Sequence, residues 1–409
     1  MSPAVQRLRR APQPYRARAR SVLAAQCALA AELVLRRARR LPPGHPGAGG
    51  HAPRLRSSPR ALLPLRRARL VYRVTDHWKS RRIARRLGLD GTCTLRPGPP
   101  GLADVLVLSL DAPGRERLAV KHARTGHAVA SLDHEWRVLE TLAADARLGG
   151  WRALVPVPVH QELTGPLPLI TESWLPGTTA DELLAAPGAD DGVAERALTA
   201  VAELHRATGR TETATGRLVA WVDEPLGVLG TDIPWCRTGK GAAGLAALRH
   251  RLRAGLAGAE TTVAWTHGDF HAGNVLFDGR GSRVTGILDW GGARPDGPCA
   301  IDAYTFVIAL ACRREGRQLG SAVREMVRHG ALPGPDLALI DGTRDDLVDL
   351  RRSGPAGPPD DAVLPLLTWL WHVVSNVTKS PRYARSHWWV SRNVTPLLEE
   401  AATWRATRP

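Results

Sequence analysis

The stretch from Thr266 to Gly291 constrains the fold of this 409-residue chain more than any other part of it. It opens with Thr266-His267-Gly268-Asp269-Phe270-His271-Ala272-Gly273-Asn274-Val275-Leu276 and closes with Ile287-Leu288-Asp289-Trp290-Gly291. Between the two lies a β-hairpin signal: Val275–Phe277, the turn Asp278-Gly279, then Arg283–Leu288. Two β-prone runs joined by a tight turn fold antiparallel. The residues before the first strand therefore return beside the residues after the second. Asp269, Asn274 and Asp289 are brought to one end of a hairpin.

Upstream, the pattern predicts a small antiparallel sheet. Thr92–Leu95 is a short strand, 96–104 a turn rich in Pro and Gly, Val105–Leu110 a β-prone run, Asp111–Gly114 a turn and Arg117–His122 a third strand. A helix follows over Ala128–Ala144, with Leu132, Trp136, Leu139 and Ala143 on one face. Glu135 shares that face. A carboxylate aimed at a core is costly unless paired, and Lys121 on the third strand is the nearest candidate partner. Val155–Val159 and Pro166–Thr171 predict two more strands. Beyond Glu172–Gly177 the chain reads as helical apart from the hairpin, with helices at Thr179–Leu184, Val193–His205, Ile301–Arg313 and Val363–Val377. This is an α+β, bilobal organisation. We expect an N-lobe over 76–174 and a helical C-lobe over 175–409, preceded by a basic extension, 1–75.

The net charge of +17 belongs to that extension. Residues 1–90 hold 22 Lys and Arg against three acids, Glu32, Asp76 and Asp90, whereas the other 319 residues hold 34 basic and 36 acidic side chains. The basicity therefore says nothing about what the remainder binds. The extension is expected to be disordered or loosely helical. RNA or an anionic lipid surface is the sharper reading of its charge. A solvated tail, or upstream sequence from a start-site choice, is the plainer and preferred one. Ser21–Leu35 mimics a signal peptide, but its apolar core is diluted by alanine, and no run reaches the roughly 20 apolar residues a membrane span needs. Five cysteines without a C-x-x-C pair argue against a disulfide framework and for a cytoplasmic protein.

The residue types at the hairpin suit one chemistry. An aspartate can accept a hydroxyl proton and orient the nucleophile. An Asn oxygen and a second carboxylate can hold Mg²⁺ against phosphates. In these motifs the chain resembles the aminoglycoside phosphotransferase and choline kinase family, small-molecule kinases of protein-kinase-like fold, over about residues 76–400. The resemblance implies Asp269 as catalytic base, Asn274 and Asp289 as Mg²⁺ ligands, and Lys121, in Leu118-Ala119-Val120-Lys121, as the lysine on the nucleotide phosphates with Glu135 as its helix partner. It implies Glu172-Ser173-Trp174 as a hinge whose backbone meets the nucleobase, and His267 and Asp302 as braces of the catalytic loop. ATP or GTP would be the co-substrate and a small-molecule hydroxyl the acceptor. The sequence departs from the pattern at Arg96-Pro97-Gly98-Pro99-Pro100-Gly101, where three prolines remove N–H donors from the loop that should cover the phosphates.

Two other readings stand beside this one. A kinase-like protein could bind nucleotide or a partner without turnover. Alternatively, His267, Asp269 and His271 could ligate the metal of a phosphoesterase, although no upstream Asp-x-His supplies further ligands. The acceptor is open. An acidic stretch (Asp336, Asp341, Asp345, Asp346, Asp349, Asp360, Asp361) could attract an amino sugar, and is more often a solvated face. Trp369, Trp371, Trp388 and Trp389 could stack on a sugar or an amine, and at helical spacing are more often core.

Overall fold

The computed structural model describes residues 81–86, 94–97, 104–111, 114, 116–186, 192–329, 332–344, 347 and 360–404. The basic extension, Gly98 and Gly101 of the proline-rich loop, and Asp345, Asp346 and Asp349 lie outside the described residues. The architecture is the expected bilobal, protein-kinase-like α+β one.

The small lobe is a five-stranded antiparallel sheet in the order β1-β2-β3-β5-β4, made of β1 (Thr94–Pro97), β2 (Val105–Asp111), β3 (Leu118–Ala123), β4 (Pro158–Glu162) and β5 (Leu169–Ser173). Leu106, Leu108, Leu110 and Val120 alternate onto one face with Leu167 and Leu169, and Ile83 of the short helix at 81–86 covers them. Helix α1 (Gly126–Ala144) lies on the other face; Thr125 caps it by accepting from the N–H of Ala128. Its buried stripe is Ala128, Leu132, Glu135, Val138, Leu139 and Leu142, so Val138 and Leu142 take places expected for Trp136 and Ala143.

Both strands expected at 155–159 and 166–171 are shifted toward the C-terminus. The N–H of Val157 goes to the Ser173 hydroxyl, so β4 begins only at Pro158. Pro168 has no N–H to give, and its carbonyl instead accepts from Ala123 N and His122 Nδ1, so β5 begins after it.

The larger lobe is built on α2 (Ala180–Ala185), α3 (Gly192–Thr208), α4 (Glu224–Asp232), α5 (Gly239–Leu256), α6 (Ala300–Glu315), α7 (Leu319–His329), α8 (Gly334–Thr343), α9 (Val363–Lys379), α10 (Pro381–Arg385), α11 (His387–Asn393) and α12 (Thr395–Ala401). Its core is continuous, with Trp221, Trp290, Trp369, Tyr304 and Phe306 fully buried. The lobe is less purely helical than expected. The hairpin, β9 (Val275–Phe277) with β10 (Val284–Ile287), gains a two-residue strand β6 (Thr178–Thr179). A second sheet pairs β7 (Arg210–Thr213), β8 (Glu260–Thr266) and β11 (Arg294–Pro298). Strand β8 is buried from Thr261 to Thr266 and delivers the chain into His267. Among the described residues no helix is long and apolar enough to cross a membrane.

Candidate active site

Strand β3 and helix α1 place the first group. The Nζ of Lys121 is 2.6 Å from Glu135 Oε1 and 2.9 Å from Glu172 Oε1. The Lys121–Glu135 pair is the one the helix face required. Glu172 is an addition: it sits across from Ala119 in the β3–β5 ladder and turns its side chain to the same lysine. Burial pulls the Lys121 pKa down, but the carboxylates of Glu135, Glu172 and Asp289 outweigh it and hold the amine charged. Burial pushes the Glu172 carboxyl up to about 7 against the pull of Lys121, and its Oε2 is buried without a hydrogen-bond partner. One buried cation therefore serves two carboxylates, an arrangement costly to break at one member.

At the expected hinge, two backbone N–H groups are engaged within the sheet. The N–H of Ser173 donates to Val157 O (2.8 Å) and that of Trp174 to Arg117 O (3.1 Å). Neither donor is available to a nucleobase, because β5 is an inner strand and its ladder runs on to Trp174. The Trp174 ring is instead half exposed beneath the Arg117 guanidinium, 4.0 Å away.

The second group gathers at the open end of the hairpin. Asp302, in the first turn of α6 and fully buried, accepts from His267 N (2.7 Å), Gly268 N (2.8 Å) and His205 Nε2 (3.1 Å). Burial alone would raise its pKa; the hydrogen bonds from the His205 ring and the His267 backbone lower it below the usual carboxylate value. The tautomer of His205 is fixed, because Arg344 Nη1 donates to its Nδ1 at 2.9 Å and leaves Nε2 to donate to Asp302. Burial keeps His205 and His267 uncharged. Gly268 has φ +74°, and a Cβ there would lie 2.2 Å from the Gly292 carbonyl oxygen. This position takes glycine because two backbone segments, 267–268 and 292, touch across it.

Both ring nitrogens of His267 are used inside the protein: Nδ1 accepts from Asp269 N (3.2 Å) and Nε2 donates to Leu288 O (2.8 Å). The alternative His267/Asp269/His271 metal cluster therefore does not assemble. Among the described residues, no group of three or more His, Cys, Asp and Glu side chains could hold a metal ion.

Asn274 is fixed by its Nδ2 donating to Asp269 O (3.0 Å), while its own carbonyl accepts from Leu288 N (2.8 Å). That second bond sets Asp289 beside the loop. Asp289 is the only described non-glycine residue with positive φ (63°, ψ 65°), a left-handed turn that re-aims its carboxylate out of the hairpin. A Cβ on Gly291 would lie 3.8 Å from Asp289 Oδ1 and 3.9 Å from Glu135 Cβ, so the Asp289 segment abuts the Lys121 group. The Asn274 amide oxygen and the half-exposed Asp289 carboxylate are hard oxygen donors. Such a pair fits Mg²⁺, which is commonly held by one or two protein oxygens and completed by phosphates.

Asp269 carries a partner that the sequence did not suggest. Lys379 Nζ, at the end of α9, donates to Asp269 Oδ2 at 2.7 Å and lies 3.8 Å from Asp289 Oδ2. His372 Nδ1, two turns earlier on the same helix, is 4.0 Å from Asp269 Oδ1. Burial would raise the Asp269 pKa; Lys379, His372 and His271 reverse this and hold it well below the usual carboxylate range.

Some of the features that could have attracted an acceptor are engaged within the protein. Asp336 pairs with Arg314 and Asp360 with Arg251. Trp369, Trp371 and Trp389 are core side chains, and only Trp388 is exposed.

A family model described as the phosphotransferase enzyme family matches residues 96–339. No curated protein matches the chain. Among solved structures, the chain is similar to a macrolide 2'-phosphotransferase type I (20% identity over 77% of this chain and 94% of that one, TM-score 0.46). It is also similar to a macrolide 2'-phosphotransferase from Brachybacterium faecium (19%, 80% and 98%, TM-score 0.45). A third is an aminoglycoside phosphotransferase from Streptomyces rimosus in complex with ADP and streptomycin (16%, 73% and 98%, TM-score 0.44).

Proposed function

The chain belongs to the phosphotransferase enzyme family, and on that premise we propose that it transfers the γ-phosphoryl group of ATP or GTP to a hydroxyl of a small molecule in the cytoplasm. The observation that carries this reading is the convergence of Asp269, Asn274 and Asp289 at one end of the hairpin, abutting the Lys121–Glu135 pair.

Each residue then has a task. Asp269, ionised and partly exposed, accepts the proton of the acceptor hydroxyl as the hydroxyl oxygen attacks the γ-phosphorus. A new O–P bond forms, the bond to the β-phosphate oxygen breaks, and the electron pair leaves with the nucleoside diphosphate. Asn274 and Asp289 would hold Mg²⁺, which when bound neutralises charge on the transferring group. Lys121 would meet the α- and β-phosphates, held in place by Glu135. Asp302 and His267 keep the 267–269 backbone in one conformation, so the base does not have to be ordered at the moment of reaction. Nucleotide and acceptor would meet between an N-lobe ending near Trp174 and the C-lobe that follows. Sugars, amino sugars and amino alcohols are the acceptor classes to screen.

The test is nucleoside diphosphate release across an acceptor panel, wild type against Asp269→Asn. Loss of a general base costs about 10²–10⁴-fold in turnover, and the variant should keep its affinity for nucleotide. Near-normal turnover in Asp269→Asn would remove Asp269 as the base.

A further inference from the structure

We propose that Lys379, with His372, forms an oxyanion subsite beside Asp269 that takes either the γ-phosphoryl group of the nucleotide or an acid group carried by the acceptor. The inference rests on the reading of Asp269 and Asp289 given above. Lys379 Nζ touches Asp269 Oδ2 (2.7 Å) and approaches Asp289 Oδ2 (3.8 Å), so the ammonium lies between the base and the phosphate-side carboxylate. On that reading the transferring group would lie near these two carboxylates.

An ammonium has three donors. Asp269 takes one of them, and Asp289 is too far for a hydrogen bond, so donor capacity remains for an oxyanion. His372 approaches the other Asp269 oxygen from the same helix face, seven residues earlier. Lys121 is differently placed, already shared between Glu135 and Glu172. The helix end is also held where it is. A ring N–H of His127 donates to the Thr378 carbonyl (2.7 Å), and Arg382 pairs with the buried Asp104 (3.0 Å), so residues next to Lys379 are fastened to the small lobe.

Composition adds an independent sign. The chain has four lysines among 56 Lys and Arg, and two of the four, Lys121 and Lys379, belong to the two side-chain groups of the candidate site. A compact ammonium on a flexible stem can follow a moving phosphoryl group, whereas a planar guanidinium is suited to a fixed fork.

The test compares Lys379→Met and Lys379→Arg with wild type by calorimetric binding and thermal unfolding. The ligands are Mg²⁺ with a β,γ-imido nucleoside triphosphate, Mg²⁺ with the diphosphate, and inorganic phosphate or D-glycerate added to each complex. If the subsite takes the γ-phosphoryl group, Lys379→Met should weaken the triphosphate analogue about tenfold or more. Diphosphate affinity should stay unchanged, and Lys379→Arg should recover part of the loss. If it takes the acceptor's acid group, the two nucleotides keep their ratio, but phosphate or glycerate stabilises wild type and not Lys379→Met. Unchanged responses to every anion would overturn the proposal. So would an equal loss for all ligands together with a lower melting temperature of the free protein, which marks a structural brace. A wild type that binds anion through Lys379 but no nucleotide would keep the subsite and sink the kinase reading instead.

Discussion

Asp302→Asn measures how firmly the loop carrying Asp269 is held. The carboxylate is fully buried; Oδ2 accepts from His267 N and His205 Nε2, and Oδ1 from Gly268 N. Asn keeps one acceptor oxygen. If that oxygen takes the Oδ2 place, the new amide N–H points at the buried N–H of Gly268. Hydrogen bonds to a charged group are each worth about 1.5–3 kcal/mol, and a stranded buried donor costs about 1–3 more. Together these suggest a loss of about 3–5 kcal/mol, as for a broken buried charge pair. Unfolding entropy near 2.1 cal/mol/K per residue gives roughly 0.7 kcal/mol/K for the 330-residue unit Ser80–Pro409. The melting temperature should then fall by about 4–7 °C in scanning calorimetry at neutral pH. Asp296→Asn is the control: it removes an exposed ion pair with Arg217 and should cost less than about 1 kcal/mol. The sign of the pH dependence is also fixed. Asp302 titrates lower folded than unfolded, so its stabilisation is present above the ordinary carboxylate pKa and is lost as pH falls through the folded value. The gap between wild type and variant should close in acid. A variant melting with wild type at neutral pH would refute the bracing of the loop by Asp302.

Gly268→Ala should lower stability by about 2–5 kcal/mol, from left-handed backbone strain and the 2.2 Å approach to Gly292 O, and should lower turnover with it; wild-type melting would contradict the contact. Glu172 titrates higher folded than unfolded, so the folded state holds its proton more tightly and wild-type stability falls as pH rises from about 4.5 to about 7. Glu172→Gln should gain stability relative to wild type across that window, and parallel pH curves would refute the raised carboxyl.

What could be read from sequence was what lies close along the chain or repeats with a period. The hairpin joins Asp269, Asn274 and Asp289 within 21 residues, so their meeting followed from turn chemistry. Glu135 on an apolar helix face demanded a cation, and Lys121 supplies it. Strand β8 was passed over although Thr261-Thr262-Val263 is β-branched, because its ladder partners come from residues 210–213 and 294–298. The extra partner of Lys121 was hidden because Glu172 faces it only through the β3–β5 register. Lys379 meets Asp269 across 110 residues. Its one signal in the sequence was the scarcity of lysine in an arginine-rich chain. The Arg344–His205–Asp302 relay likewise joins three distant segments, and no local pattern marks it.

The most direct test of the account is thermal unfolding with Mg²⁺ and ATP or GTP, wild type beside Asp289→Ala. A metal-dependent rise in melting temperature is expected with at least one nucleotide, about 2.7 kcal/mol of added stability at a hundredfold excess over Kd, and its loss in Asp289→Ala. No rise in wild type with either nucleotide, or the same rise in the variant, would contradict it.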